Sequence, residues 1–169
     1  MPTYIALLRA VNVGGTGKLP MSELTEMCQR IGGERVRTYI ASGNVVFSSR
    51  KSSSAIKKAL EKELATYAGK PVGVLIRTPE EMSQVLANNP FPNAAKNHTV
   101  AIFLDEPATP AMLTAITGQD EEQVALGVQE IYVSYGAGMG QSKLKIPAAK
   151  TGTARNMNTI AKLVALAAV

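Results

Sequence analysis

Ten residues stand out for what their side chains or amides can do, and they fall in a few short stretches. Arg9, Asn12, Gly14, Gly15 and Lys18 lie in Leu7-Leu8-Arg9-Ala10-Val11-Asn12-Val13-Gly14-Gly15-Thr16-Gly17-Lys18. Ser42 and Asn44 flank Gly43 in Thr38-Tyr39-Ile40-Ala41-Ser42-Gly43-Asn44-Val45-Val46-Phe47. Lys143 falls in Gly140-Gln141-Ser142-Lys143-Leu144, and Arg155 and Asn156 in Thr153-Ala154-Arg155-Asn156-Met157-Asn158-Thr159. A glycine loop lets backbone N–H groups converge on an anion, and Lys or Arg neutralises it. The planar Arg fork can hold phosphate or carboxylate through two bonds. General acid–base chemistry rests on His, Asp or Glu with a tuned pKa, and these stretches contain none. The chemistry they point to is recognition of an anionic group.

Two familiar nucleotide loops fail on residues. A Walker A loop needs glycine five positions before the Gly-Lys pair and a hydroxyl after it; Asn12 and Leu19 stand there. The dinucleotide pattern needs a third glycine where Pro20 stands. What remains is a glycine turn between Arg9 and Lys18. Ser42 and Asn44 also suit a turn in which they bond their own backbone. Thr153, Asn156 and Asn158 are competent helix caps. With Thr151 to Thr159 opening the last helix, Arg155 opposes the macrodipole at a cost of some tenths of a kcal/mol. That placement makes sense if it reaches an anion or a carboxylate, with Lys143 and Lys150 near it in sequence.

His98 and Cys28 each occur alone, so neither a typical zinc site nor a disulfide within the chain is expected. Cys28 continues the helical spacing of Met21 and Leu24, as a buried thiol would. No metal and no cofactor is called for.

The 169 residues are 46% hydrophobic, 18% charged and only 5% aromatic, a folded composition with an aliphatic core. The net charge of +5 is unevenly spread. Residues 131–169 hold five cations and no acid, whereas six acids stand between Asn97 and Ser142 with no Lys or Arg among them. The acidic block reads as a solvated face. No apolar run reaches the roughly 20 residues of a bilayer span, and Met1-Pro2-Thr3-Tyr4 leads into a strand without a basic leader. A cytoplasmic location follows as the expectation.

The elements that must position these residues come in a doubled order. A strand at Thr3 to Arg9 precedes a helix with Met21, Leu24, Cys28 and Ile31 on one face, ending at Gly32-Gly33. Strands at Val36 to Ala41 and Val45 to Ser48 flank a turn. Serines 52 to 54 cap a helix with Ile56, Leu60, Leu64 and Tyr67 apolar. Gly69-Lys70-Pro71 stops it, and Val72 to Arg77 is a strand. The order is the split βαβ of ferredoxin-like folds. A connecting helix at Pro79 to Ala87 leads to a diverged second half. There the expected elements are a strand (Thr99 to Leu104), a helix (Pro110 to Thr117), two strands (Gln123 to Leu126, Glu130 to Tyr135), a glycine loop and a closing helix. The expected class is α+β, with antiparallel or mixed sheets and two halves, 1–78 and 79–169.

The stretches quoted above, in this order and spacing over about residues 3 to 165, resemble the bacterial family known as domain of unknown function 1697. Met157 stands where that family often has Trp. The resemblance implies an α+β fold of ferredoxin-like halves and no established substrate. The residues themselves favour a module binding a small anionic or phosphate-bearing ligand in a cleft formed by the polar motifs. The alternatives are a transferase or hydrolase, with Ser42 or Lys143 as participants, and a structural or protein-interaction role. Nucleic acid is a weaker partner, with Tyr39, Phe47, Tyr132 and Tyr135 as the only aromatics placed to stack on bases; no membrane partner is expected.

Overall fold

The computed structural model describes residues 1–9, 19–39 and 43–169. These form two compact units, Met1–Met82 with Leu163–Val169, and Ser83–Lys162. The class is mixed α+β, with two four-stranded antiparallel sheets and five α-helices among the described residues. No helix there is long and apolar enough to cross a membrane.

In the first unit, β1 (Thr3–Leu8), α1 (Met21–Arg30), β2 (Glu34–Tyr39), β3 (Asn44–Ser48), α2 (Ser53–Ala68) and β4 (Val74–Arg77) follow one another. The sheet order is β2-β3-β1-β4. Alternation along the strands sends Tyr4, Ala6, Leu8, Val45, Phe47 and Val74 to one face. Leu24, Met27 and Cys28 of α1 and Ile56, Leu60 and Leu64 of α2 pack there. Each such fully buried aliphatic side chain contributes about 1.5–3 kcal/mol of transfer free energy. Burial pushes the Cys28 thiol up to about 12, as expected of a core residue rather than a nucleophile.

The helix ends follow from local chemistry. After α1, the Gly33 N–H donates to Cys28 O at 2.8 Å while Gly32 takes φ +95. Ser52 Oγ accepts the Ala55 N–H at 3.3 Å to start α2, and left-handed Gly69 stops it. One expectation needs correction here. Tyr67 is 46% exposed rather than part of the apolar face, because the last turn of α2 carries on past the core residues into solvent.

Helix α3 (Pro79–Ala87) opens on a reciprocal capping box: Thr78 Oγ1 accepts the Glu81 N–H, and Glu81 Oε1 accepts the Thr78 N–H. Then come β5 (Thr99–Phe103), α4 (Pro110–Thr114), β6 (Gln123–Leu126), β7 (Glu130–Ser134), β8 (Thr153–Asn156) and α5 (Met157–Ala167), with sheet order β6-β7-β5-β8. Val100, Ile102, Leu104, Ile131 and Val133 form this unit's own cluster, covered by Met112, Tyr135, Met139, Leu144 and Ile146.

Strand β8 corrects the expected start of the last helix. Residues 153–156 pair with Val100–Phe103 of β5. Asn156 then caps α5, its Oδ1 accepting the Thr159 N–H at 2.9 Å. Arg155 therefore lies outside the helix, and the macrodipole cost does not arise. Helix α4 is also shorter than expected, because Thr117 leaves it to pair with Lys145.

The two sheets repeat one another in register. Thr3 faces Ser48 and Ile5 faces Arg77; likewise Thr99 faces Ser134 and Ala101 faces Arg155. Each fourth strand thus places a buried arginine beside the central strand, Arg77 being 4% and Arg155 7% exposed.

Candidate functional site

A concavity of about 370 Å³ lies in the second unit. One wall is the turn between α4 and β6, with Gly118, Asp120, Glu121 and Glu122. The other is the start of the β7–β8 connection, with Tyr135, Gln141, Ser142 and Lys143. Its size is at the lower end of the range for small-molecule sites.

Backbone bonds hold the walls together. Thr117 and Lys145 exchange N–H···O bonds at 3.0 and 2.8 Å. Gly118 has φ +71, and a Cβ there would collide with the Lys143 carbonyl oxygen, so only glycine permits this approach. A side-chain bond also links the walls: Ser142 Oγ donates to Glu122 Oε2 at 2.6 Å and accepts the Leu144 N–H at 3.2 Å. The other Glu122 oxygen accepts the Asp120 N–H at 2.6 Å, and its backbone carbonyl accepts from Gln119 Nε2.

These bonds set the site's protonation. The Ser142 hydroxyl first, then the Asp120 N–H, hold the Glu122 carboxyl below the usual glutamate range; burial acts the other way and is the least of the causes. Glu122 is therefore an ionised acceptor and a poor base at neutral pH. Burial and the Glu122 charge raise the Tyr135 phenol. Lys143 is exposed on the lining and forms no ion pair among the described residues.

The ten sequence candidates separate. Asn12, Gly14, Gly15, Lys18 and Ser42 lie outside the described residues. Arg9 follows β1, donates its backbone N–H to Gly73 O, and lays its side-chain stem over Gly73. Asn44 is fully buried at the start of β3, where Nδ2 donates to Tyr39 O at 3.1 Å. Asn156 caps α5. Arg155 donates through Nη1 to Thr153 Oγ1 at 2.8 Å and Ala154 O at 2.9 Å. Desolvation pushes its guanidinium down to about 10.

Lys143 and Arg155 are not brought together. Arg155 stands beside Ala101, on the sheet face opposite Val100 and Ile102, whereas Tyr135 packs with Val100 and Ile102. Neither Arg155 nor Lys150 lines the cavity. The cavity adds Gly118, Asp120, Glu121, Glu122, Tyr135, Gln141 and Ser142 to the candidates. The signals available for them were a Thr-Gly turn ahead of three consecutive acids, and one lysine just past the end of an acid-only block.

The sequence profile described as "Protein of unknown function (DUF1697)" matches residues 1–132. The chain belongs to that family. A search of the curated proteins gives no match. Among solved structures, the chain is similar to the conserved bacterial protein SP0830 from Streptococcus pneumoniae, with a TM-score of 0.80 over 98% of each chain. At 24% identity this likeness concerns the fold.

Proposed function

We propose that this protein is a binding module for a small ligand carrying a phosphate or carboxylate group, held in the second unit's cavity. The carrying observation is Lys143, an exposed cation on the lining of a concavity whose walls are locked by Gly118 and by the Ser142–Glu122 bond. A lysine carried on a backbone wall that is already joined to its neighbour meets an oxyanion without the cost of ordering a loop. Gln141 adds an amide donor on the same wall.

Two other readings are supported at particular residues. For transfer chemistry, Ser42 lies outside the described residues and Lys143 is on the lining; the cavity's own hydroxyl, Ser142, is bonded to a Glu122 of lowered proton affinity, which favours binding over catalysis. A structural role fits Asn44 and Asn156, whose side chains serve local backbone. For nucleic acid, Phe47 and Tyr132 are buried and Tyr39 and Tyr135 half-buried, which leaves little stacking surface. We take the first unit's strand order and β-α-β-β-α-β succession as support for a ferredoxin-like assignment, and the resemblance of the whole chain as support for a bacterial protein.

Phosphorus NMR line broadening of inorganic phosphate by the full chain tests the reading. Lys143→Gln should weaken binding about tenfold, with Lys62→Gln, an exposed lysine on α2, as the unaffected control. No binding, or equal loss in both variants, contradicts it.

A further inference from the structure

We infer that the cavity takes a zwitterion, a small compound with an ammonium a few atoms from its phosphate or carboxylate. This rests on the reading that the cavity is the binding site, and it names the ligand class.

The lining is charge-segregated. Asp120, Glu121 and Glu122 are consecutive on the wall between α4 and β6, while Lys143 is, among the described residues, the one cation on the wall opposite. A bare oxyanion drawn to Lys143 meets three carboxylates across a small cavity, and a bare cation drawn to those carboxylates meets Lys143. A ligand with both signs turns each repulsion into an attraction and also fixes its own orientation.

Hydrogen bonding agrees with that division. The Ser142 hydroxyl hydrogen is already engaged by Glu122, so Lys143, Gln141 and the Tyr135 hydroxyl are the side-chain donors this wall offers an oxyanion. Among the described residues, the side-chain carboxylates of Asp120 and Glu121 carry no hydrogen bond or ion pair, and both residues are exposed. They are available to an ammonium. Tyr135, half-buried against the second unit's cluster, gives an apolar surface for the short carbon linker.

Three probes test this by isothermal titration of the full chain: O-phosphoethanolamine, inorganic phosphate and ethanolamine. The expected result is that phosphoethanolamine binds at least about tenfold more tightly than either single-charge probe. Lys143→Gln and the pair Asp120→Asn with Glu121→Gln should each abolish that preference. These side chains are exposed, so the variants should keep the wild-type amide spectrum. Phosphate binding as tightly as phosphoethanolamine overturns the zwitterion and leaves the anion reading standing. Ethanolamine binding as tightly as phosphoethanolamine, with phosphate silent, overturns both, as does silence from all three. A preference that survives both sets of substitutions overturns the assignment of the two walls.

Discussion

The two units use one strand order and one register, yet they fill the second crossover differently. Between β3 and β4 the chain forms a 16-residue helix, α2, which packs Ile56, Leu60 and Leu64 into the core. It also ties itself to α1 through Arg30 Nε and Glu63 Oε1 at 2.6 Å. Between β7 and β8 the equivalent stretch makes two 3-10 turns, Gly136–Gln141 and Pro147–Thr151. Where the first unit has helix against helix, the second has a cavity with polar walls. One strand order thus carries helix packing in one unit and leaves a polar-walled concavity in the other.

The comparison breaks most visibly in the cores under the two crossovers. Leu60→Ala on α2 should cost about 2–5 kcal/mol, read as a lower midpoint of chemical denaturation. Leu144→Ala, at a partly buried position in the second crossover, should cost less than half as much. Equal losses would mean that the irregular segment carries as much packing as the helix does.

A pair of glycines sharpens it next. Gly69 and Gly118 both have φ +71, so alanine meets the same left-handed strain of about 1–2 kcal/mol at each. Gly69 has nothing within 4 Å of a built Cβ, whereas Gly118 faces the Lys143 carbonyl. Gly118→Ala should therefore destabilise more than Gly69→Ala, and the excess measures how tightly the cavity walls are joined. Indistinguishable midpoints would show that the walls give way freely.

The smallest effect concerns protons. Glu122 has a lowered folded-state pKa, so its contribution to stability is present above the unfolded value and lost as pH falls through the folded one. Ser142→Ala removes the largest cause of that lowering. The Glu122 carboxyl titration, followed by carbon NMR, should move to higher pH, and the loss of stability in acid should become shallower. An unmoved titration would leave the Ser142 bond without electrostatic consequence. At the other end of the scale, burial and then the Glu130 charge push Tyr132 up to about 12, so stability should fall as pH rises from about 10 toward 12.

Much of this architecture can be read from residue order. The Ser52 cap, Gly69, and the capping box around Thr78 are local signals, and each element forms where its signal lies. Strand β8 has no such local signal. Thr-Ala-Arg-Asn is followed by caps and a helical spacing, and only pairing with β5, some fifty residues earlier, makes it a strand. The cavity was hidden for a similar reason. The acids at 120–122 look solvated along the chain, and it is the Thr117–Lys145 bridge that brings Ser142 and Lys143 against them. Cation and amide content singled out Lys143 and Arg155 alike, and could not show that the sheet turns Arg155 to its opposite face.

The account rests on the second crossover being the ligand-bearing one. Amide chemical shifts of the full chain, titrated with O-phosphoethanolamine, test that most directly. The account predicts shifts centred on residues 118–122 and 141–143, with the start of α2 silent. Shifts centred instead on Ser52 to Ile56, at the capped start of α2, or none at all, would contradict it.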